Sequence, residues 1–306
     1  MTLADRDVRV AAVVVAYNDA LSLRTCIRSL QLSRAPLHQL IIIDNSTNNS
    51  VQSEFSSFEG IDYIRPGSNL GFSVGCNRGI ERALERGADF IWLVNPDTEV
   101  DPLCLQELLR AAQYSSQTGI VGARIHYASD ASKIWYGGGR MGFLTGVGKH
   151  LVESGKETQE TGYVTGCCML IPAAVLKKVG GLNEKIFMYQ DDTEFCLRVR
   201  AAGYTLIYAP AARMAHAIGP GMDWRKHPGY YLYFSVRNRP LITRNPVYKT
   251  YLHGLTFVIA AAKILKRLAP GVPHRGPKIR ILAWAAWDSL SSASRHKRRL
   301  PQLFTA

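Results

Sequence analysis

The apolar positions of this chain fall first into long unbroken runs and only later into looser patterns. Residues 8–16 (VRVAAVVVA) are apolar and β-branched almost throughout, which predicts a strand buried on both faces of a parallel sheet. Residues 21–32 then place Leu23, Cys26, Ile27 and Leu30 on one helical face. A second strand is predicted over residues 40–43, a short one over 61–64, a helix over 74–86 and a further buried strand over 90–94. Strands alternating with helices over the first hundred residues predict an α/β fold, a mainly parallel central sheet flanked by helices.

Beyond residue 103 the periodicity loosens. A helix is expected over 103–114, strands over 120–125, 167–171 and 204–208, a helix from Pro172, and an acidic helix over 191–202. The Gly-rich stretch 137–148 reads as a loop over the site, because glycine punctuates regular structure. From Pro228 on, helices are expected over 230–244, 251–268 and 279–290, with a break at 270–277. No internal repeat is present.

Charge divides the chain where periodicity does not. Residues 1–221 hold 21 Lys and Arg against 22 Asp and Glu, whereas residues 222–306 hold 16 against 2, so the whole basic excess lies in the last 85 residues. Basic residues beside aromatics on amphipathic helices suit an anionic membrane surface. Packing of those helices on the catalytic core is the plainer alternative. A hydrophobic content of 47% with 20% charged residues excludes a disordered chain. No run approaches the roughly 20 apolar residues of a membrane-spanning helix, and residues 1–8 carry no leader pattern. Cys26, Cys76, Cys104, Cys167, Cys168 and Cys196 include no C-x-x-C pair and lie mostly in apolar surroundings, which predicts reduced, buried thiols of a cytoplasmic protein.

Four polar clusters stand close to strand-like runs: Ala16-Tyr17-Asn18, Asp44-Asn45, Asn95-Pro96-Asp97 and Gln190-Asp191-Asp192-Thr193-Glu194, with His216 downstream. In open α/β sheets ligands bind beyond the carboxyl ends of strands, so the order of these clusters points to a nucleotide and metal site. Asp97, at a strand end, suits a divalent cation (Mn2+ or Mg2+) that in turn holds a diphosphate, and His216 suits a second ligand to it. Asp191, Asp192 and Glu194 open a helix, where the macrodipole alone favours acids. A carboxylate there is also suited to take a proton from an attacking hydroxyl. Asp44 is placed to accept hydrogen bonds from a base or ribose. The run from Asn69 to Gly79 is Gly-rich and leads into a helix, but it lacks the G-x-G-x-x-G spacing directly after the first strand, which excludes a dinucleotide-binding oxidoreductase.

At these residues the chain resembles the inverting family 2 glycosyltransferases of the GT-A fold, and within them the rhamnosyltransferase and galactofuranosyltransferase branch. The resemblance covers about residues 8–245. It implies that Ala16, Tyr17, Asn18, Asp44, Asn69, Asn77, Asn95 and Asp97 bind the nucleotide-sugar. Asn95-Pro96-Asp97 stands at the family's Asp-x-Asp motif, with Asn95 in place of the first acid, so Asp97 and His216 are expected to hold the metal. Asp192 takes the position of the general base, and Gly166 and Asp191 are expected at the acceptor. The resemblance further implies a catalytic domain over residues 1–226, a basic helical extension over 227–306 at the inner face of a membrane, and a UDP- or dTDP-sugar donor. The acceptor it implies is a lipid-linked or polymeric glycan, and no nucleic acid is expected. Two rival readings are a sugar nucleotidyltransferase, which would want a phosphate loop where Tyr17-Asn18-Asp19-Ala20 stands, and a non-enzymatic basic binding protein, which leaves the acidic clusters without a purpose.

Overall fold

Val10–Ala16 forms strand β1, every residue of it buried, as its unbroken apolar run requires. Around it the computed structural model describes residues 8–142, 144–152, 155–218, 228–268, 275–290 and 303. The expected boundary at 226–227 and most of the break at 270–277 lie outside these residues. Helix α1 (Ala20–Gln31) buries Leu23, Cys26, Ile27 and Leu30, and the Asp19 carboxylate caps it by accepting from the Ser22 N–H at 3.0 Å. Strands β2 (Gln39–Asp44), β3 (Asp62–Ile64) and β4 (Phe90–Val94) complete a parallel set in the order β3-β2-β1-β4. A short helix, α2 (Ser50–Phe55), links β2 to β3.

The other half of the sheet is mixed. Strand β11 (Cys168–Pro172) lies antiparallel between β4 and β6 (Thr118–Tyr127), and β12 (Thr205–His216) runs parallel to β6. Short strands β5 (Thr98–Val100) and β7 (Asp130–Tyr136) pair with β12 and β6, and β10 (Gln159–Glu160) closes the edge. Helices α4 (Cys104–Ala111), α5 (Ala173–Val179) and α6 (Asp191–Ala201) pack around this half.

Helix α3 (Phe72–Glu85) explains the Gly-rich run that precedes and enters it. A Cβ on Gly79 would lie 2.1 Å from Val13 Cγ1, and one on Gly75 2.9 Å from Val15 Cγ1. Spaced four apart, these glycines share a helical face and let α3 settle directly on β1. Gly71 has φ +85°, and its Cβ would meet the Phe187 carbonyl at 2.5 Å. Here the glycines serve close packing.

Two expectations are corrected. The stretch 137–148 is largely a hairpin of β8 (Gly139–Gly142) and β9 (Val147–His150) rather than a loop. Side chains at Gly139 and Gly148 would strike the Tyr163 ring at 2.7 and 2.5 Å, so glycine lets the hairpin lie flat on that ring. The strand expected over 204–208 continues to His216, because a register shift between Ala209 and Arg213 accommodates Pro210, Ala211 and Ala212 without ending the strand.

The C-terminal part is helical, as expected, with shifted ends. Helix α7 (Gly229–Arg237) gives way to a 3-10 turn over Arg239–Ile242, since Pro240 has no N–H to continue it. Helices α8 (Pro246–Leu268) and α9 (Arg275–Ser289) follow, with Pro277 tolerated in the first turn of α9. Leu232, Phe234, Val236, Ala260 and Leu282 form a second apolar cluster that also takes in Phe187 of the segment before α6. All six cysteines are free and buried, as predicted.

Gly79→Ala should lower the urea midpoint, overpacking against Val13 by about 1–3 kcal/mol. Gly254→Ala in α8, where nothing stands within 4 Å of the added carbon, should raise the midpoint through a stability gain of up to about 1 kcal/mol. Equal effects at the two positions would contradict the close-packing role of Gly79.

Candidate active site

The site begins with a register. Beyond its shift, β12 pairs antiparallel with β5, setting Met214 opposite Val100 and His216 opposite Thr98. The Ala217 N–H donates to the Asp97 carbonyl at 2.9 Å, so the residue before β5 is tied to the residue after β12. Two groups 119 positions apart in sequence thereby meet: His216 Nε2 donates to Asp97 Oδ1 at 3.0 Å. Asp97 is 36% exposed while His216 is buried, which leaves one side of the carboxylate open.

That pair fits a divalent cation. Neighbouring ligands about 2.1 Å from an octahedral ion stand about 3 Å apart, the separation seen between Oδ1 and Nε2. Among the described residues no group of three or more His, Cys, Asp and Glu side chains gathers to hold a metal. A bound ion would therefore complete its shell with substrate phosphate oxygens and water. His216 Nδ1 is buried with no hydrogen-bond partner, so the ring is held by Asp97 and by the edge of Trp135, 4.5 Å away between ring centroids.

Asp192 occupies the first turn of α6 and is held from three sides. The Gly166 N–H donates to Oδ2 at 3.1 Å, the Thr193 N–H to Oδ1 at 2.7 Å, and the Tyr163 hydroxyl to Oδ2. Asp191 beside it is buried, and burial together with the Asp192 charge pushes its carboxyl up to about 8. One acid of the adjacent pair is thus protonated at neutral pH and able to donate a hydrogen bond. Glu194 is spent on Arg198, 2.8 Å away.

The turn into α6 is strained. Tyr189 and Gln190 carry φ +64° and +66°, a conformation that costs about 1–2 kcal/mol per non-glycine residue. Asn238, fully buried after α7, holds that turn by donating to the Met188 carbonyl at 2.8 Å and the Tyr189 carbonyl at 3.0 Å. Arg237 donates to the Lys185 carbonyl at 2.7 Å. The C-terminal helices therefore clamp the segment that aims Asp192.

At the ends of β1 and β2 the expected nucleotide residues divide. Ala16 is buried in β1, and its carbonyl accepts from the Asn45 N–H at 2.9 Å. Tyr17 is 37% exposed at the rim. Asn18, at φ +57°, stitches the two strand ends together: its backbone N–H donates to Ser46 Oγ at 2.8 Å and its side-chain carbonyl accepts from the Thr47 N–H at 2.9 Å. Asp44 is fully buried and occupied by the Tyr63 hydroxyl, the Ser46 N–H at 2.9 Å and Arg65 at 3.6 Å. Asn69 accepts from the Gly71 N–H at 3.0 Å and shapes the turn into α3. Asn95 is half-buried, its backbone tied to the Cys167 carbonyl at 3.1 Å. Asn77 departs from the expected placing. Its side-chain carbonyl accepts from the Leu182 N–H at 2.7 Å, and its amide nitrogen donates to the Leu182 carbonyl and to Glu184, each at 3.0 Å. It is a strut between α3 and segment 181–184, its amide engaged within the chain.

Three side chains that sequence reasoning passed over line the same region. Trp135 lies edge-on to His216 and to His150, 4.4 Å from the latter. His150 stacks on Tyr163, the ring that donates to Asp192. His150 Nδ1 donates to the Trp135 carbonyl at 3.2 Å, which leaves Nε2 as an acceptor, and burial keeps this imidazole below its usual pKa and so neutral. The hairpin read as a loop brings His150 here. Its signal was an aromatic pair, Trp135-Tyr136, followed at once by three glycines.

The family profile for Glycosyl transferase family 2 matches residues 11–180. The chain is similar to the low-salt glycan biosynthesis hexosyltransferase Agl10 of Haloferax volcanii, 27% identical over 222 residues that cover 72% of this chain and 71% of that protein. It is also similar to the N-acetylglucosaminyl-diphospho-decaprenol L-rhamnosyltransferase of Mycobacterium tuberculosis, 26% identical over 243 residues, 70% of this chain and 78% of the relative. Among solved structures, GalNAc-T7 with UDP, GalNAc and Mn2+ aligns with a TM-score of 0.58 at 13% identity, over 87% of this chain and 58% of that one. This chain thus spans less than two thirds of that structure's length, and the likeness shows the GT-A fold.

The Asp191 proton has a consequence for stability. Between the unfolded carboxyl value near 4 and about 8, the folded chain keeps a proton that the unfolded chain has released. Stability therefore falls as pH rises through that window, by up to about 1.4 kcal/mol per pH unit. Asp191→Asn should make the fall in Tm between about pH 5 and about pH 8 shallower than in the wild type. Equal falls in the two proteins would contradict a protonated Asp191.

Proposed function

The chain belongs to glycosyl transferase family 2, and we propose that it is a metal-dependent inverting transferase with residues 1–226 as catalytic domain and 227–306 as a membrane-surface extension. It moves a sugar, with rhamnose or galactofuranose favoured, from a UDP- or dTDP-sugar to a hydroxyl of a lipid-linked or cell-surface glycan at the cytoplasmic face. The observation that carries this reading is a short bridge between the two acids: the Asn95 N–H, two residues before Asp97, donates to the Cys167 carbonyl at 3.1 Å, and the neighbouring Gly166 N–H donates to Asp192 Oδ2 at 3.1 Å. That bridge supports reading the Asp97–His216 pair and Asp192 as lining one space.

In that space each group has one task. Asp97 and His216 hold the cation, which when bound offsets the charge that develops on the departing diphosphate. Ala16, Tyr17, Asn18, Asp44, Asn69 and Asn95 shape the nucleotide side. Asp192 takes the proton from the acceptor hydroxyl as its oxygen bonds to the anomeric carbon. The bond to the diphosphate breaks with its electron pair, and the anomeric centre inverts. Gly166 aims Asp192 through its N–H, and protonated Asp191 offers a donor to the acceptor. The mycobacterial relative's name, a rhamnosyl transfer to a sugar on a diphospho-polyprenol, supports the donor and acceptor classes. Mn2+ in the solved GalNAc-T7 structure supports the cation.

Support for membrane association comes from the extension. Val247, Tyr251, Phe257, Val258, Leu265 and Leu268 are exposed on α8, within the segment that carries the whole basic excess. No helix among the described residues is long and apolar enough to cross a membrane.

Asp192→Asn should lower kcat by roughly 10²–10⁴-fold while leaving Mn2+-dependent binding of the nucleoside diphosphate intact. Turnover near that of the wild type would show that Asp192 is not the base. Loss of nucleotide binding in the same variant would place it on the donor side instead.

A further inference from the structure

A buried cation ordinarily stands beside an acid, because desolvating a charge costs several kcal/mol unless a partner repays it. The C-terminal bundle departs from that rule. Arg239, in the 3-10 turn, is only 6% exposed, and Lys263 is half-buried on α8. Lys263 reaches Ser235, one helical turn before Arg239, and burial, followed by the neighbouring Arg239 and Arg267 cations, brings its ammonium down to about 8. Arg239 donates from Nη1 to the Thr145 carbonyl, and its buried Nε has no hydrogen-bond partner. Lys263 donates to Ser235 Oγ at 3.3 Å. Among the described residues neither side chain is in an ion pair.

The surrounding sequence has no acid to spare. Residues 228–306 contain one, Asp288, and it accepts from the Tyr233 hydroxyl at 2.5 Å. Residues 131–152, which supply Thr145, contain none. Among the described residues, the like charges of Arg239 and Lys263 stand together with no acid paired to either of them.

The two cations are tied to the turn before α6 on two sides. Three residues beyond Thr145, the Gly148 N–H donates to Thr193 Oγ1 at 3.3 Å, next to Asp192. Ser235, which accepts from Lys263, also accepts at its carbonyl from Gln190 Nε2 at 3.5 Å, directly before Asp191. Tyr231 lies in the electrostatic reach of Arg239 and packs edge-on against Tyr189, 5.2 Å between centroids. An aromatic step thus joins the cations to the strained turn that carries the base.

We propose that Arg239 and Lys263 form an anion site for the diphosphate through which the acceptor sugar is joined to its lipid, with that sugar lying over Tyr189 and Tyr231 toward Asp192. This rests on the transferase reading above. A guanidinium fork and an ammonium are the groups that recognise phosphate oxygens, and the donor's own diphosphate is assigned to Asp97 and His216.

The test uses the full chain and two variants, Arg239→Gln, which keeps a donor for Thr145, and Lys263→Met, which keeps the apolar stem. Inorganic pyrophosphate, titrated in EDTA without donor and followed by thermal shift, should bind each variant about tenfold more weakly than the wild type. Mn2+-dependent UDP or dTDP binding should stay unchanged. In transfer assays, one acceptor sugar is offered on a short polyprenol through a diphosphate and also as its octyl glycoside. The ratio of their KM values should rise about tenfold in each variant. Equal pyrophosphate affinity in all three proteins overturns the site. Weakened pyrophosphate binding with an unchanged KM ratio overturns its assignment to the acceptor and leaves free phosphate as the ligand. Absence of transfer by the wild type to either acceptor would count against the transferase reading, and the pyrophosphate comparison would still decide the site.

Discussion

The site depends on how the outer edge of β12 changes partner partway along the strand. The strand runs parallel to β6 on both sides of its register shift, while its other edge pairs with β10 at Ile207 and Tyr208 and with β5 from Met214 to His216. Pro210 in that shift has no N–H to donate to a ladder, which suits a place where pairing is interrupted. The short antiparallel ladder that follows brings His216 to Asp97 and fixes the backbone on both sides of the pair. Without it the carboxylate after β4 and the histidine would belong to separate parts of the molecule. The metal-binding proposal is in this sense a statement about strand register.

The second support is the strained turn before α6. Two left-handed non-glycine residues persist only where their surroundings determine them, and here Asn238 and Arg237 hold the carbonyls of segment 185–189. The C-terminal helices thus have a structural duty toward Asp192 whatever surface they meet outside. The same helices place Arg239 and Lys263 beside that turn, so the proposed base Asp192, its clamp and the proposed acceptor anion site form one connected unit.

Much of this was legible in the residue pattern, for identifiable reasons. Continuous apolar runs predicted β1 and β4 closely, since a strand buried on both faces has no polar face to blur it. Asp97 and His216, expected from their places in the sequence to act together, do meet in the fold, because the β5–β12 ladder brings them to 3.0 Å. The hairpin β8–β9 was not legible: its glycines are there to lie against Tyr163, and in sequence that looks the same as a flexible loop. Asn77 was misplaced for a related reason, since its Gly-rich neighbourhood suggests a ligand while its amide binds the chain at Leu182. Trp135, His150 and Tyr163 were missed because their contacts join β7, β9 and the segment before β11, a proximity only the folded sheet creates. Arg239 and Lys263 were visible as charge but not as burial.

The central claim is that Asp97 and His216 share a cation that holds the donor's diphosphate. Crystals grown with Mn2+ and a nucleoside diphosphate, measured at the manganese absorption edge, test it directly. The account predicts one anomalous peak within about 2.0–2.3 Å of an Asp97 carboxylate oxygen and of His216 Nε2, with diphosphate oxygens in the same shell. A diphosphate bound without manganese at that pair, or a manganese peak elsewhere with Asp97 and His216 still bonded to each other, would contradict it.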